Sequence, residues 1–390
     1  MQAKSPAIPF ARPMISEEEK RAVLKVLDGP ILVHGPLTKE FETSFAKFTG
    51  APFAVSVSSC TAALHLSYVY LGIGAGDEVI VPAQTHVATA HAVELCGARP
   101  VFVDAESETG NIDLDQIEKS ITPRTRALSV VHYLGMPVNM ERVAEIAKKK
   151  SLFVVEDCAL AIGSYFKGCH VGLFGDVGCF SFYPVKHMTT IEGGMLITQD
   201  EQISKRVSQL KAFGYDRTIG ERTLPGLYDV TSIGFNYRLN EIEAALGIEQ
   251  LKKVALFLKQ RQRNHEILSR ELSQLDEIRQ FKTTAGEYRS SYYCLSVHLT
   301  GKAASHRNLI VKYLNENGVG TSIYYPQPVP LMHYYQAKYG HREAGFPVAA
   351  SISKHSIALP VGPHLKEEQM LVIAETFKKA IEMIKKGSFK

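Results

Sequence analysis

Short apolar runs rich in β-branched residues recur at 54–57, 78–82, 100–103, 127–131, 153–156, 177–182 and 195–198. Between several of them apolar positions fall at helical spacing, over 61–71, 87–96 and 140–149. Strand-length runs alternating with helix-length segments predict an α/β fold with a mainly parallel seven-stranded sheet between helices. Such a sheet gathers ligands at the carboxyl ends of its strands. From 239 to about 275 the pattern turns wholly helical, with Ile242, Ala245, Leu246, Leu251 and Val254 at helical spacing. A strand-like stretch at 292–298, a helix over 305–317, the proline-rich 324–330 and a closing helix from 366 follow. That order predicts a smaller C-terminal α+β domain, so the expected division is 1–250 and 251–390, packed as one body.

The chain has 390 residues, 45% hydrophobic and 22% charged, the balance of a globular protein long enough for two domains. A net charge of +4, scattered along the chain, argues against nucleic acid as a partner. The mildly basic tail from Lys378 to Lys390 reads as a solvated helix face. No run approaches the roughly 20 apolar residues of a membrane span, and residues 1–13 lack the apolar core of a signal peptide. A cytoplasmic, membrane-free protein is expected. Six cysteines without a Cys-x-x-Cys pair suggest neither a zinc knuckle nor a disulfide framework, and most are expected to be buried thiols.

The densest chemistry lies in Cys179-Phe-Ser-Phe-Tyr-Pro-Val-Lys186-His-Met-Thr-Thr-Ile-Glu-Gly-Gly194. A strand runs out, a proline turns it, and a lysine follows before a double glycine. A lone lysine is ordinarily a surface charge; the context sets this one apart. Asp157 ends the apolar strand Leu152-Phe-Val-Val-Glu-Asp157, where a carboxylate can reach a heteroaromatic nitrogen or, equally, be satisfied by backbone N–H groups. In Val55-Ser-Val-Ser-Ser-Cys-Thr61 a strand passes into a helix, so the amides of Cys60 and Thr61 can cradle an anion. The same small hydroxyl residues also serve as plain N-caps. Gly72-Ile-Gly-Ala-Gly76 follows a helix and lacks the third glycine of a dinucleotide loop.

Together with Ile8-Pro-Phe-Ala-Arg-Pro13, Gly74-Ala-Gly-Asp-Glu-Val-Ile-Val-Pro82, Ala88-Thr-Ala90, Arg99-Pro-Val-Phe-Val-Asp104, Val131-His-Tyr-Leu-Gly135 and Gly234-Phe-Asn-Tyr-Arg238, these segments span nearly the whole chain. They resemble the DegT/DnrJ/StrS family of sugar aminotransferases, which have the aspartate-aminotransferase fold, type I of the pyridoxal-5'-phosphate (PLP) enzymes. The resemblance implies a PLP enzyme that alternates with the pyridoxamine form. It gives Lys186 the Schiff-base and proton-shuttling role, and Asp157 the place beside the pyridine nitrogen. It gives Cys60, Thr61 and Ser181 the phosphate, and His86 the face of the ring. Asn236 matches an asparagine that reaches the phosphate from the neighbouring subunit, which implies a homodimer with shared active sites. Arg238, Tyr325 and His187 are expected to face the substrate. The donor is expected to be L-glutamate, and the acceptor a keto sugar of cell-surface polysaccharide or lipopolysaccharide synthesis.

Three departures stand out. His86 replaces the usual aromatic residue, Leu160 stands where a glutamine near the cofactor hydroxyl is common, and Cys60 takes the middle place of a turn that commonly reads Ser-Gly-Thr. Relatives in which a histidine replaces the lysine are keto-deoxysugar dehydratases; here the lysine remains, and dehydration is the second reading. A PLP-binding regulator without turnover is a third, unsupported by any helix-turn-helix or basic segment. Lys211-Ala-Phe-Gly-Tyr-Asp-Arg217 with Pro225-Gly-Leu-Tyr-Asp229 resembles the branch that makes 8-amino-3,8-dideoxyoctulosonate.

Overall fold

A computed structural model describes residues 7–216, 224 and 226–387. Residues 1–6, Arg217 and Pro225 of the octulosonate-like segment, and the last three residues of the basic tail lie outside them.

The seven expected strands form one sheet: β1 (Phe53–Val57), β2 (Glu78–Pro82), β3 (Arg99–Val103), β4 (Thr125–Val131), β5 (Phe153–Asp157), β6 (Val177–Ser181) and β7 (Gly194–Thr198), in the order β1-β7-β6-β5-β4-β2-β3. Only β7 runs against its neighbours. The other contacts are parallel. Strands β2, β6 and β7 are buried at every position, because helices cover both faces; hence their apolar runs are unbroken instead of alternating. The carboxyl ends of β1, β2, β4, β5 and β6 meet at one edge, where β7 begins.

A second, antiparallel sheet joins Ile278–Gln280, Leu295–Leu299 and Ser356–Leu359. Its core, with Leu295, Val297, Ile357, Leu359 and Phe377, also takes in Ile8 from the far end of the chain, paired in parallel with Val319. The helix Glu241–Leu272 begins on an Asn240 cap with Glu243 bonding back to it. It packs on Glu17–Leu27, Pro36–Thr49 and Glu367–Lys385, and residue 250 falls inside it. Among the described residues no helix is long and apolar enough to cross a membrane. Cys60, Cys158, Cys179 and Cys294 are buried, Cys96 is half-buried and Cys169 exposed, and none is in a disulfide.

Two buried histidines make the fold acid-sensitive. His170 Nε2 accepts the Gly163 N–H at 2.9 Å, and His265 packs on the Tyr292 ring. Burial pushes both down to about 4. Below the unfolded value near 6.5 the unfolded chain binds protons that the fold refuses. Stability is therefore complete above about pH 6.5 and falls as pH drops toward 4, by on the order of 2 kcal/mol per histidine at pH 5. Thermal unfolding measured across this window should show Tm falling, and His265→Phe, which keeps a ring against Tyr292, should reduce the fall.

Candidate active site

At the carboxyl edge of the sheet lies a cavity of about 240 Å³. Ser59, Cys60 and Thr61 enter it after β1, Thr85 and His86 after β2, Asp157 from the end of β5, Ser181 from the end of β6, and Lys186 just beyond. Tyr325 reaches it from the C-terminal part of the chain.

Ser59 caps the helix Cys60–Tyr70 with its side chain, taking the Ala62 N–H at 3.1 Å. The amides of Cys60 and Thr61 are thus the first two of the helix and have no acceptor within it. Cys60 already has helical geometry, so the place needs no glycine. The glycines are needed opposite: a Cβ on Gly194 would lie 2.5 Å from Ser59 C and 2.6 Å from Cys60 N. That close approach brings β7 against the anion cradle.

Lys186 is half-buried, with its Nζ 5.9 Å from the centre of the Tyr293 ring. Desolvation lowers its pKa from the ordinary lysine value, while Cys60 and Asp157 act the other way. Arg261, buried on the long helix, donates to the Tyr293 carbonyl at 2.8 Å and to the Lys186 carbonyl at 3.5 Å, and so ties the lysine turn to its aromatic floor.

The adjacent acids of β5 part company because successive strand residues face opposite ways. Glu156 faces inward and accepts the amides of Gly172, Phe174 and Gly175 at 2.7, 2.8 and 2.6 Å, and its Oε2 meets His132 Nε2 at 2.9 Å. His132 Nδ1 takes the Val138 N–H at 3.1 Å. His132 and Glu156, which with Cys158 form a cluster of metal-ligating types, therefore spend their lone pairs on the protein. Asp157 faces the cavity and is buried. One of its oxygens accepts the Ala159 N–H at 3.1 Å and lies 4.0 Å from Cys60 Sγ; the other accepts the Thr89 hydroxyl at 2.8 Å.

His86 caps the helix Val87–Leu95, its Nδ1 accepting the Ala88 N–H at 3.2 Å, and its ring centre lies 5.8 Å from that of Tyr325. Burial first, then the Lys186 charge, lowers its pKa, which keeps the ring neutral. Leu160 lines the cavity too, and its carbonyl takes the Ser291 hydroxyl at 2.7 Å.

Three expected site residues do not line this cavity. His187 is buried, and its Nε2–H donates to the Ser291 carbonyl at 3.2 Å. Burial and the Arg261 charge hold its pKa well below the histidine range. Its place beside Lys186 in the chain does not bring it to the lining of this cavity. Asn236 is exposed on the loop leading to the long helix. Arg238 lies over the Phe213 ring, 5.0 Å from its centre. Conversely, Thr85, Tyr183 and Glu192 line the cavity without having been singled out. Tyr183 and Glu192 sit in the lysine segment and Thr85 beside His86, whereas nothing local marks Tyr293.

Residues 13–378 match the model of the DegT/DnrJ/EryC1/StrS aminotransferase family. The spore coat polysaccharide biosynthesis protein SpsC of Bacillus subtilis is 34% identical over 395 residues, covering 100% of this chain and 100% of its own. GDP-perosamine synthase of Escherichia coli O157:H7 is 35% identical over 371 residues, or 95% of this chain and 97% of its own. Among solved structures, Spr1654 of Streptococcus pneumoniae in its PMP form has a TM-score of 0.92 at 30% identity, covering 97% of this chain and 100% of its own; its PLP form is also similar, with a TM-score of 0.91.

Proposed function

The chain belongs to the DegT/DnrJ/EryC1/StrS aminotransferase family and is a PLP-dependent sugar aminotransferase, and from that premise we propose that it moves the amino group of L-glutamate onto a nucleotide-linked keto-deoxysugar. The observation that carries the reading is one cavity lined by Lys186, Asp157 and the start of a helix whose first amides have no acceptor within it. These residues fit the cofactor. The amides of Cys60 and Thr61, with Ser181, would hold its phosphate, Asp157 its ring nitrogen, and His86 one face of the ring. Bound there, the cofactor supplies an electron sink and a carrier for the amino group.

Lys186 serves as amine and proton carrier. Burial disfavours its ammonium form, so more free amine is present at neutral pH to engage a carbonyl, and the same nitrogen can then carry a proton between two carbon centres. Neutral His86 would offer its ring face without adding a charge beside that amine. Tyr325 walls the cavity, and the Tyr293 ring lies 5.9 Å from the lysine nitrogen.

The acceptor's nucleotide is favoured by the relative named GDP-perosamine synthase; an 8-keto-octulosonate is the other acceptor to offer. Asn236 would complete the site of a second copy in a homodimer. It is exposed beside Ile233, 86% exposed, and Val230, 52% exposed, apolar side chains that a partner would cover.

Excess L-glutamate alone should bleach the yellow enzyme and release 2-oxoglutarate, and a keto sugar should then restore the colour and leave with nitrogen on its carbon. A deoxygenated keto sugar released with ammonia would mean a dehydratase. Failure of glutamate to bleach or to yield 2-oxoglutarate would exclude it as donor.

A further inference from the structure

The segment Ala88-Thr-Ala90 carries no role in the reading above, yet its threonine sits directly behind the cavity. Thr89 is fully buried and donates its hydroxyl to Asp157 Oδ2 at 2.8 Å. That hydrogen being committed, the Thr89 oxygen accepts from Thr85, also fully buried, whose Oγ1 is 2.8 Å away. The two hydroxyls stand one helical turn apart, on the loop and first turn that also carry His86. The other Asp157 oxygen is held by the Ala159 amide.

We propose that Thr85 and Thr89 form a two-hydroxyl relay that positions Asp157 toward the cofactor's ring nitrogen and locks it to the helix start that presents His86. Thr89 is a positioning residue and touches neither cofactor nor substrate. Its hydroxyl pins one carboxylate oxygen and the Ala159 amide the other, so the carboxyl group cannot swing about its Cα–Cβ bond, and its remaining lone pairs face the cavity. Because the same short segment supplies the relay and His86, the partner of the ring edge and the residue at the ring face move as one body. A buried carboxylate deprived of a hydroxyl donor gains an alternative rotamer and loses a charge-assisted bond.

The inference rests on the reading of Asp157 given above. Parent, Thr89→Val, Thr89→Ser, Thr85→Val and Asp157→Asn proteins are loaded with PLP. For each, the cofactor's dissociation constant and the pH dependence of its visible absorption are measured alongside kcat and KM. Thr89→Val is expected to weaken cofactor binding about tenfold, to shift the pH dependence of the absorption, and to lower kcat with little change in KM. Thr89→Ser should restore all of these, and Thr85→Val should show the same changes at smaller size. An unchanged absorption profile and dissociation constant in Thr89→Val overturns the relay, as does failure of Thr89→Ser to restore them. Should Thr89→Val not fold, unchanged values in Thr85→Val overturn it instead. Asp157→Asn separates the two layers: if it too leaves the absorption and affinity of the parent, the reading of Asp157 falls and the relay with it. If it changes them while Thr89→Val does not, the relay alone is lost.

Discussion

Replacing Lys186 by alanine should lower turnover on the order of 10⁴-fold while leaving a folded protein that still takes up PLP. The side chain is half-buried at the cavity wall and makes no ion pair among the described residues, so its removal costs the fold little. The anion cradle at Cys60 and Thr61 and the carboxylate of Asp157 remain. What disappears is the nitrogen that engages the carbonyl and then transfers the proton, and general acid–base catalysis alone contributes about 10² to 10⁴ in rate. Single-turnover kinetics with glutamate would measure the loss, and dialysis would show the cofactor now leaving freely. In the parent, borohydride reduction and peptide mapping should place the cofactor on Lys186. A label on another lysine would move the site. Lys211 is the useful control, because it is also well shielded yet is engaged by Glu42 at 3.0 Å and the Ser56 carbonyl at 2.7 Å.

The second large effect is expected at Asp157. Asparagine keeps the shape; its oxygen can still accept the Ala159 amide, and its NH2 can donate to the Thr89 oxygen where the carboxylate accepted, so the fold should survive. It cannot hold a proton on a ring nitrogen by charge. The expected loss is roughly a hundredfold to a thousandfold in kcat, the scale seen when one preorganised electrostatic contact is removed from a reacting centre. The KM for glutamate should change little. Glu156→Gln should behave in the opposite sense. Glu156 accepts three backbone amides and faces His132, so its amide isostere should lower Tm and leave the kcat of the remaining folded enzyme near that of the parent. Thermal unfolding and steady-state rates on the two variants would show whether neighbouring acids divide into chemistry and structure in this way.

All seven strands of the central sheet were legible in the sequence. Helices cover both faces of the sheet, so each strand reads as a short, mainly apolar run, and a local pattern then reports a local fact. The lysine at the end of β6 and the acid at the end of β5 could be found for the same reason, since each sits where a strand runs out and the sheet collects its ligands. The helix start at Ser59 was marked by its own small hydroxyl residues, and the double glycine by its repetition.

What depended on contacts between distant segments was not legible. Adjacent Glu156 and Asp157 carry the same charge, and only the 172–175 loop returning beneath β5 makes one of them structural. His86 and His187 looked alike as ring-bearing neighbours of the site, but one caps a helix at the cavity mouth and the other is sealed behind the lysine turn against Ser291. Nothing local foretold that Tyr293 would lie beneath Lys186, or that Ile8 would complete a core built from the other end of the chain. Periodicity records which side of an element is buried; which partner buries it is decided when the chain closes, and the chemistry of each polar side chain follows from that partner.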